Sequence, residues 1–224
     1  MSVQSNLETL QKKIESACKK SGRSPRDVQL LAVTKKQPLE KIQEAIKWGQ
    51  KQFGENYVQE WRQKAESLNH EIDWHIIGPL QKNKCKYVVG KVALIQSVDS
   101  LSLAEEIHKI ALQRNIVQSV LLQINLGDET TKSGASLRDG QELVAEFQKM
   151  KGLNLKGLMA LPPLFEEAEK SRPYFRQLKE CAQSWFSKEK EAFLSMGTSQ
   201  DFEIAIEEGS HMVRVGTFIF GERE

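Results

Sequence analysis

From residue 28 to residue 215, short β-rich runs alternate with longer amphipathic stretches, and this alternation restricts the chain to α/β architectures. The strand-like runs fall at 28–34, 51–54, 73–78, 93–98, 119–125, 155–161, 193–196 and 212–215. Helical patterns lie between them, at 39–48, 101–114, 137–150 and 168–186 among others. In the second of these, Leu103, Ile107, Ile110 and Ala111 share one side and charges occupy the other. Leu7, Leu10, Ile14 and Cys18 recur every three or four positions, which predicts an extra helix before the first strand. Gly22 and Pro25 stop it. About eight strands, each followed by a helix, are what a (β/α)8 TIM barrel requires, and 224 residues is short for that class. A doubly wound open sheet is the alternative. No Gly-x-Gly-x-x-Gly follows the first strand, however, and Gly90-Lys91-Val92 is not a phosphate-binding P-loop. No low-complexity segment or shift in composition divides the chain, so 1–224 is expected to be a single domain.

Composition removes several function classes. Thirty-two basic residues against 30 acidic ones leave a formal charge of +2, without a basic stripe interleaved with aromatics, so nucleic acid is not expected as a partner. Cys18, Cys85 and Cys181 are odd in number and far apart, which speaks against a disulfide framework or a zinc site and for a reducing compartment. His70, His75, His108 and His211 have no metal-ligand spacing. The first residues are polar and charged, unlike a signal peptide, and no apolar run is long enough to span a bilayer. A cytoplasmic protein is expected.

Against this background one lysine stands out. Lys35 closes the apolar run Leu30-Leu31-Ala32-Val33-Thr34, and strand alternation puts Leu31, Val33 and Lys35 on one face. At a barrel mouth, apolar walls beneath the amine disfavour the ammonium form and free the lone pair for attack on a carbonyl. A strand-end lysine taken alone ordinarily snorkels into solvent, so the reading depends on what else gathers there. Ser195-Met196-Gly197-Thr198-Ser199-Gln200-Asp201 reads as a strand end turning into a helix start, with hydroxyls and free amides suited to a phosphate; taken alone, the plainer reading is a helix cap by Ser199 or Asp201. Arg214 lies among apolar neighbours near a strand end and needs an acceptor, and Gly216-Thr217 can bring backbone amides close to an anion. Pairing of Arg214 with a structural carboxylate is the competing reading. First and eighth strands adjoin in a closed barrel, so these segments would meet. An amine beside an anion pocket fits a phosphorylated aldehyde, and pyridoxal phosphate is a molecule of that kind.

Several blocks carry a resemblance. Ala32-Val33-Thr34-Lys35, the run from Phe53 to Glu60 (FGENYVQE), that from Trp74 to Lys84 (WHIIGPLQKNK), Lys132-Ser133-Gly134, Gly157-Leu158-Met159-Ala160 and the run from Met212 to Thr217 closely resemble the pyridoxal phosphate homeostasis protein family, single-barrel relatives of the alanine racemase N-terminal domain. The blocks occur in the right order over nearly the whole chain. The resemblance implies a (β/α)8 barrel holding pyridoxal 5'-phosphate as a Schiff base on Lys35. It further implies that Arg214 faces the pyridine nitrogen, that Ser199, Gly216 and Thr217 hold the phosphate, and that Asn56 lies beside the cofactor. Two positions depart from the family pattern. Val33-Thr34-Lys35-Lys36 stands where Val-Ser-Lys-Thr is usual, and Met196-Gly197-Thr198-Ser199 where Met-Gly-Met-Ser is usual; both flank the assigned residues.

A ring nitrogen facing a permanently charged arginine is a weak electron sink, which argues against efficient transamination or decarboxylation. Racemisation needs a base on each face of the substrate carbon. Lys35 supplies one; Tyr57, Tyr87 and Tyr174 are the only tyrosines, and none is evidently placed to supply the other. The expectation is a carrier or buffer that maintains intracellular pyridoxal phosphate (vitamin B6) and amino-acid and keto-acid balance, with catalysis incomplete. The alternatives are a weak pyridoxal phosphate-dependent amino-acid racemase or lyase, and an aldolase-like barrel whose lysine attacks the substrate directly. The expected partners are the cofactor and apo-enzymes that receive it, with no nucleic acid and no membrane, and the expected state is a monomer or weak dimer. His75 is expected to be structural and Lys82, Lys84 and Lys86 a solvated face. Lys132 falls in a polar loop beyond the fifth strand, a candidate second contact for the cofactor.

Overall fold

The computed structural model describes residues 2–68, 71–127, 133–187 and 191–222. An N-terminal helix α1 (Val3–Lys20) leads into strand β1 (Gln29–Val33) and helix α2 (Leu39–Trp48). The pattern repeats through β2 (Gln52–Glu55), α3 (Val58–Ser67), β3 (Asp73–Ile76), α4 (Cys85–Val88), β4 (Leu94–Val98) and α5 (Leu101–Gln113). It continues with β5 (Gln118–Ile124), α6 (Leu137–Lys149), β6 (Leu153–Ala160), α7 (Arg172–Trp185), β7 (Phe193–Ser195), α8 (Phe202–Glu207), β8 (Met212–Val215) and α9 (Thr217–Phe220). All eight strands pair in parallel, and β1 pairs with both β2 and β8, closing the barrel. The (β/α)8 expectation holds and the open sheet is excluded.

Two details differ from the sequence reading. Strand β1 ends at Val33, so Lys35 lies beyond it in a turn where Lys36 takes a left-handed φ of 57°. The stretch 168–186 is helical only from Arg172, after a 3-10 turn at Ala168–Ser171; Pro173 fits the first helical turn, where its missing N–H costs nothing.

Packing follows the alternation. Outward-facing strand residues such as Ala32, Phe53, Ile76 and Ile95 join the inner faces of the helices in one continuous apolar layer. Leu7, Leu10 and Ile14 of α1 are fully or almost fully buried in it, each contributing roughly 2 kcal/mol. Helix α1 lies against α2, α8 and α9, and Asn6 donates to the Ile219 carbonyl at 2.9 Å. It therefore braces the two short helices that follow β7 and β8. Inside the barrel, Leu94, Leu121, Met159 and Phe193 form a separate apolar plug. One step further along β4 and β7 the inward residues become polar, Gln96 and Ser195. The lumen is thus apolar below and polar toward the carboxyl ends of the strands.

Candidate functional site

At the carboxyl mouth lies a cavity of about 350 Å³ lined by Lys35, Asn56, Ser199, Arg214, Gly216 and Thr217 together with Val33, Ile77, Leu161 and other rim residues. All six residues singled out from the sequence meet there. A larger hollow of about 620 Å³, bordered by Arg23, Lys179 and Glu191, opens beside the start of β7. It lies at the opposite, amino-terminal end, and Arg23 there already donates to the carbonyls of Ile206 and Ser210.

Lys35 reaches the cavity from the turn after β1 and is partly buried, with Val33 at the wall below it. Asn56 follows β2 on the neighbouring side. Across the mouth, Gly197 takes a φ of 94°, and a Cβ there would come within 2.6 Å of the Ala205 Cβ; only glycine turns the chain here without strain. That turn presents Thr198 and Ser199. Neither Ser199 nor Asp201 caps α8 with its side chain. Asp201 Oδ1 instead accepts from the Thr198 amide and hydroxyl, at 2.7 and 2.9 Å. Ser199 Oγ reaches across to accept from the amides of Gly216 and Phe218 at the start of α9, at 3.2 and 3.4 Å. These bonds are long, so the amides are loosely engaged, while the hydroxyl retains a proton to donate. Gly216 comes close to β1, since a Cβ on it would lie 3.2 Å from the Val33 carbonyl oxygen. This cradle of hydroxyls and helix-start amides suits a phosphate.

Arg214 forms the floor and is buried. Its guanidinium donates to Ser195 Oγ at 2.6 Å and to the Ala160 carbonyl at 2.8 Å. The competing pairing with a structural carboxylate is not what holds it, although Asp201 favours its charge from nearby; burial pushes its pKa down to about 10, so it stays a cation at neutral pH. From Arg214 a hydrogen-bond chain crosses the lumen. Ser195 donates to Gln96 Oε1 at 2.6 Å, and Gln96 Nε2 lies 2.8 Å from His75 Nδ1 and 3.2 Å from Met212 Sδ. Because an arginine can only donate, the chain has one direction, and His75 Nδ1 must accept. The imidazole is then neutral with its proton on Nε2, which agrees with burial lowering its pKa to about 4. His75 is structural, as expected. The sequence reading places Ser195 only in the phosphate stretch, not as a partner of Arg214, and does not single out Gln96; a glutamine two residues after an inward-facing leucine in an apolar run is the available signal.

The chain has a consequence for stability. The unfolded histidine binds a proton near its ordinary value of 6.5, and the folded one only near 4. Stability is therefore complete above pH 6.5 and is lost as the pH falls toward 4, at about 1.4 kcal/mol per unit within that window. Denaturant melts at pH 6.5 and pH 5 are expected to show the parent losing about 2 kcal/mol more than a His75→Gln variant, whose amide oxygen can still accept from Gln96. Equal losses in the two proteins would remove His75 as the cause.

Lys82, Lys84 and Lys86 are exposed or partly exposed, and Lys84 and Lys86 lie over the Tyr87 ring with Arg62, consistent with a solvated face. Lys132 and His70 lie outside the described residues. Among the described residues no cluster of histidine, cysteine or acidic side chains could hold a metal, and no helix is long and apolar enough to cross a membrane.

The chain is a closed parallel barrel with a lysine and an anion cradle at its carboxyl mouth, and residues 5–224 match the family of the alanine racemase N-terminal domain. A pyridoxal phosphate homeostasis protein of Aquifex aeolicus is 43% identical over the full length of both chains. PipY of Synechococcus elongatus, solved with PLP bound, superimposes with a TM-score of 0.84 at 32% identity, over 98% of this chain and 100% of that one. An alanine racemase of Clostridium difficile shares the fold, with a TM-score of 0.77 at 16% identity over 98% of this chain and 56% of its own. This chain belongs to the pyridoxal phosphate homeostasis protein family.

Proposed function

We propose that this protein binds pyridoxal 5'-phosphate at the carboxyl mouth of the barrel and carries or buffers it, maintaining the intracellular supply of the cofactor and the balance of amino and keto acids that depends on it. The observation that carries this reading is the meeting of Lys35, Asn56, Ser199, Arg214, Gly216 and Thr217 around one cavity. The donor set fits the group: an amine for an aldehyde, hydroxyls and amides for a phosphate, and a buried cation for a pyridine nitrogen. The relatives named for pyridoxal phosphate homeostasis, and PipY with PLP bound, support the same assignment. When bound, pyridoxal phosphate supplies a reversible covalent link through its aldehyde and an electron sink in its ring.

In this reading Lys35 provides the Schiff-base nitrogen, Ser199 with the amides of Gly216 and Thr217 holds the phosphate, and Asn56 flanks the ring. Arg214 gives its remaining donors to the ring nitrogen and, being always charged, opposes protonation there. That restrains carbanion chemistry and favours storage over turnover. The tyrosines support the same side. Tyr57 is exposed on a neighbouring groove, Tyr87 lies beneath the basic cluster and Tyr174 packs at a tilt against Phe165, and none of them is among the cavity's lining residues. The mouth is open, with Leu164 81% exposed at its edge, which suits release to cytoplasmic apo-enzymes. The barrel acts as a single functional domain, as a monomer or weak dimer.

The test is the visible spectrum of the purified protein with added pyridoxal phosphate, before and after borohydride, followed by peptide mass mapping. A yellow band that bleaches and leaves a pyridoxyl group on Lys35 is expected. A colourless protein that takes up no cofactor would return the site to an aldolase-like role, and sustained turnover of an amino acid at a useful rate would favour the racemase or lyase reading.

A further inference from the structure

Beside the cavity, in the seam between β1, β2 and α3, three charged side chains meet, two of them buried and one partly exposed. Lys64 of α3 is 7% exposed at its side chain, Glu55 at the end of β2 is 0% and Glu60 is 22%. Lys64 Nζ donates to Glu55 Oε1 at 2.6 Å, to Glu60 Oε1 at 2.7 Å and to the Thr34 carbonyl at 2.6 Å, which uses all three ammonium protons. Thr34 Oγ1 donates to the same Glu55 oxygen at 2.6 Å. Glu60 Oε1 also accepts from the backbone amide of Lys36. The residues on either side of Lys35 are therefore held by one ionic cluster, Thr34 through its carbonyl and hydroxyl, and Lys36 through its amide.

Stability alone is a poor reason to keep such a cluster. Removing three charges from water is expensive, and an apolar repacking of a buried pair is often neutral or better. Here the cluster is also incompletely satisfied, since Glu55 Oε2 is buried without a hydrogen-bond partner, and burial raises the Glu55 pKa against the pull of Lys64. What the cluster does hold is the backbone on both sides of Lys35. Lys36 adopts a left-handed φ that non-glycine residues rarely take, and its amide is tied to Glu60 in that conformation. Lys35 itself has four rotatable bonds, and the peptide units from which it starts set the origin of its reach into the cavity.

We propose that Lys64, Glu55 and Glu60 form a positioning triad for Lys35, fixing the turn so that the amine meets the aldehyde of a bound ligand held by the phosphate cradle. The inference rests on the reading of Lys35 as the cofactor's anchor. The triad does not touch the ligand, and it acts only through Lys35. Its effect must therefore vanish when Lys35 is gone.

This dictates a double-mutant comparison. Lys64→Met would leave two carboxylates facing each other in the seam and risks failure to fold, so the probe is the partly exposed Glu60. Glu60→Ala removes the acceptor of both Lys64 and the Lys36 amide; Glu60→Gln restores an acceptor without the charge. Affinity for pyridoxal phosphate is measured by equilibrium dialysis, and the rate of borohydride-trappable adduct formation by mass spectrometry, each in the parent and in a Lys35→Ala background. Glu60→Ala is expected to weaken binding and slow trapping roughly tenfold in the parent, Glu60→Gln to recover most of this, and Glu60→Ala to change affinity by less than about twofold once Lys35 is alanine. An equal loss in both backgrounds would make the cluster merely structural, and no loss in either would remove its role; both overturn the proposal. If instead the parent itself forms no adduct and binds no better than Lys35→Ala, the anchor assignment is what has failed, and the triad's proposed role falls with it.

Discussion

Lys35→Ala is expected to eliminate the visible band and the borohydride-stable adduct completely while leaving the barrel folded. The residue is partly exposed in a turn outside β1 and is not part of the apolar layer, so its loss should leave unfolding cooperative and cost no more than about 1 kcal/mol. Binding should persist weakly, because Ser199, the amides at the start of α9 and Arg214 are untouched. A drop in affinity of roughly a hundredfold, about 3 kcal/mol, is a reasonable scale for losing the covalent link. Lys36 is the natural control. It is chemically identical, adjacent and exposed, but it is not among the residues lining the cavity. Lys36→Ala should keep the band, and peptide mapping should place the pyridoxyl mass on residue 35 rather than 36. An adduct that survives in Lys35→Ala, or one that maps to Lys36, would show that the environment described for Lys35 is not what selects the anchor.

That contrast between neighbouring lysines also marks how far the sequence could be read. The eightfold alternation was legible because each strand must bury its outward face under a helix, and residues such as Phe53, Ile76 and Ile95 record this locally. The adjacency of Lys35 and Arg214 was legible too, since barrel closure pairs β1 with β8 and sets Leu31 opposite Arg214. The supports of these two residues were much harder to see. Ser195 and Gln96 are 99 positions apart and meet only through the lumen. Lys64 gives a local signal, four residues after Glu60 on α3, but its decisive contact is with the Thr34 carbonyl 30 residues earlier. The left-handed turn at Lys36 left no trace, because nothing in a Lys-Lys pair predicts a positive φ. Periodicity reports which face of an element is buried; it does not report which polar groups will find each other inside.

Arg214→Glu is expected to have the largest effect on stability, and its cause lies in that hidden network. The guanidinium now satisfies Ser195 Oγ and the Ala160 carbonyl with two donors. A carboxylate in its place has none to offer, would face the Ala160 oxygen with Asp201 nearby, and would be buried at the floor of the mouth without a counter-charge. Losing one partner of a buried charged network in this way costs about 3–5 kcal/mol. The directional chain would also lose its origin: Ser195 would turn its proton toward the new carboxylate, leaving Gln96 Oε1 without a donor and freeing His75 from its fixed tautomer. The measurements are the denaturant midpoint and the ring-nitrogen chemical shifts of His75, with Arg214→Gln as the variant that retains an amide N–H2 donor group and no charge. Arg214→Gln should fall between parent and Arg214→Glu in stability. In whatever fraction of Arg214→Glu folds and takes up pyridoxal phosphate, a carboxylate near the ring nitrogen would hold it protonated and strengthen the electron sink. Conversion of the bound cofactor to its amine form by added amino acids should then increase over the parent. A loss of less than about 1 kcal/mol, with unchanged histidine shifts and reactivity, would mean that Arg214 neither anchors the lumen chain nor faces the ring. The same residue is thus expected to sustain the fold and to hold the chemistry in check, because the charge that organises the lumen is the charge that opposes a protonated ring.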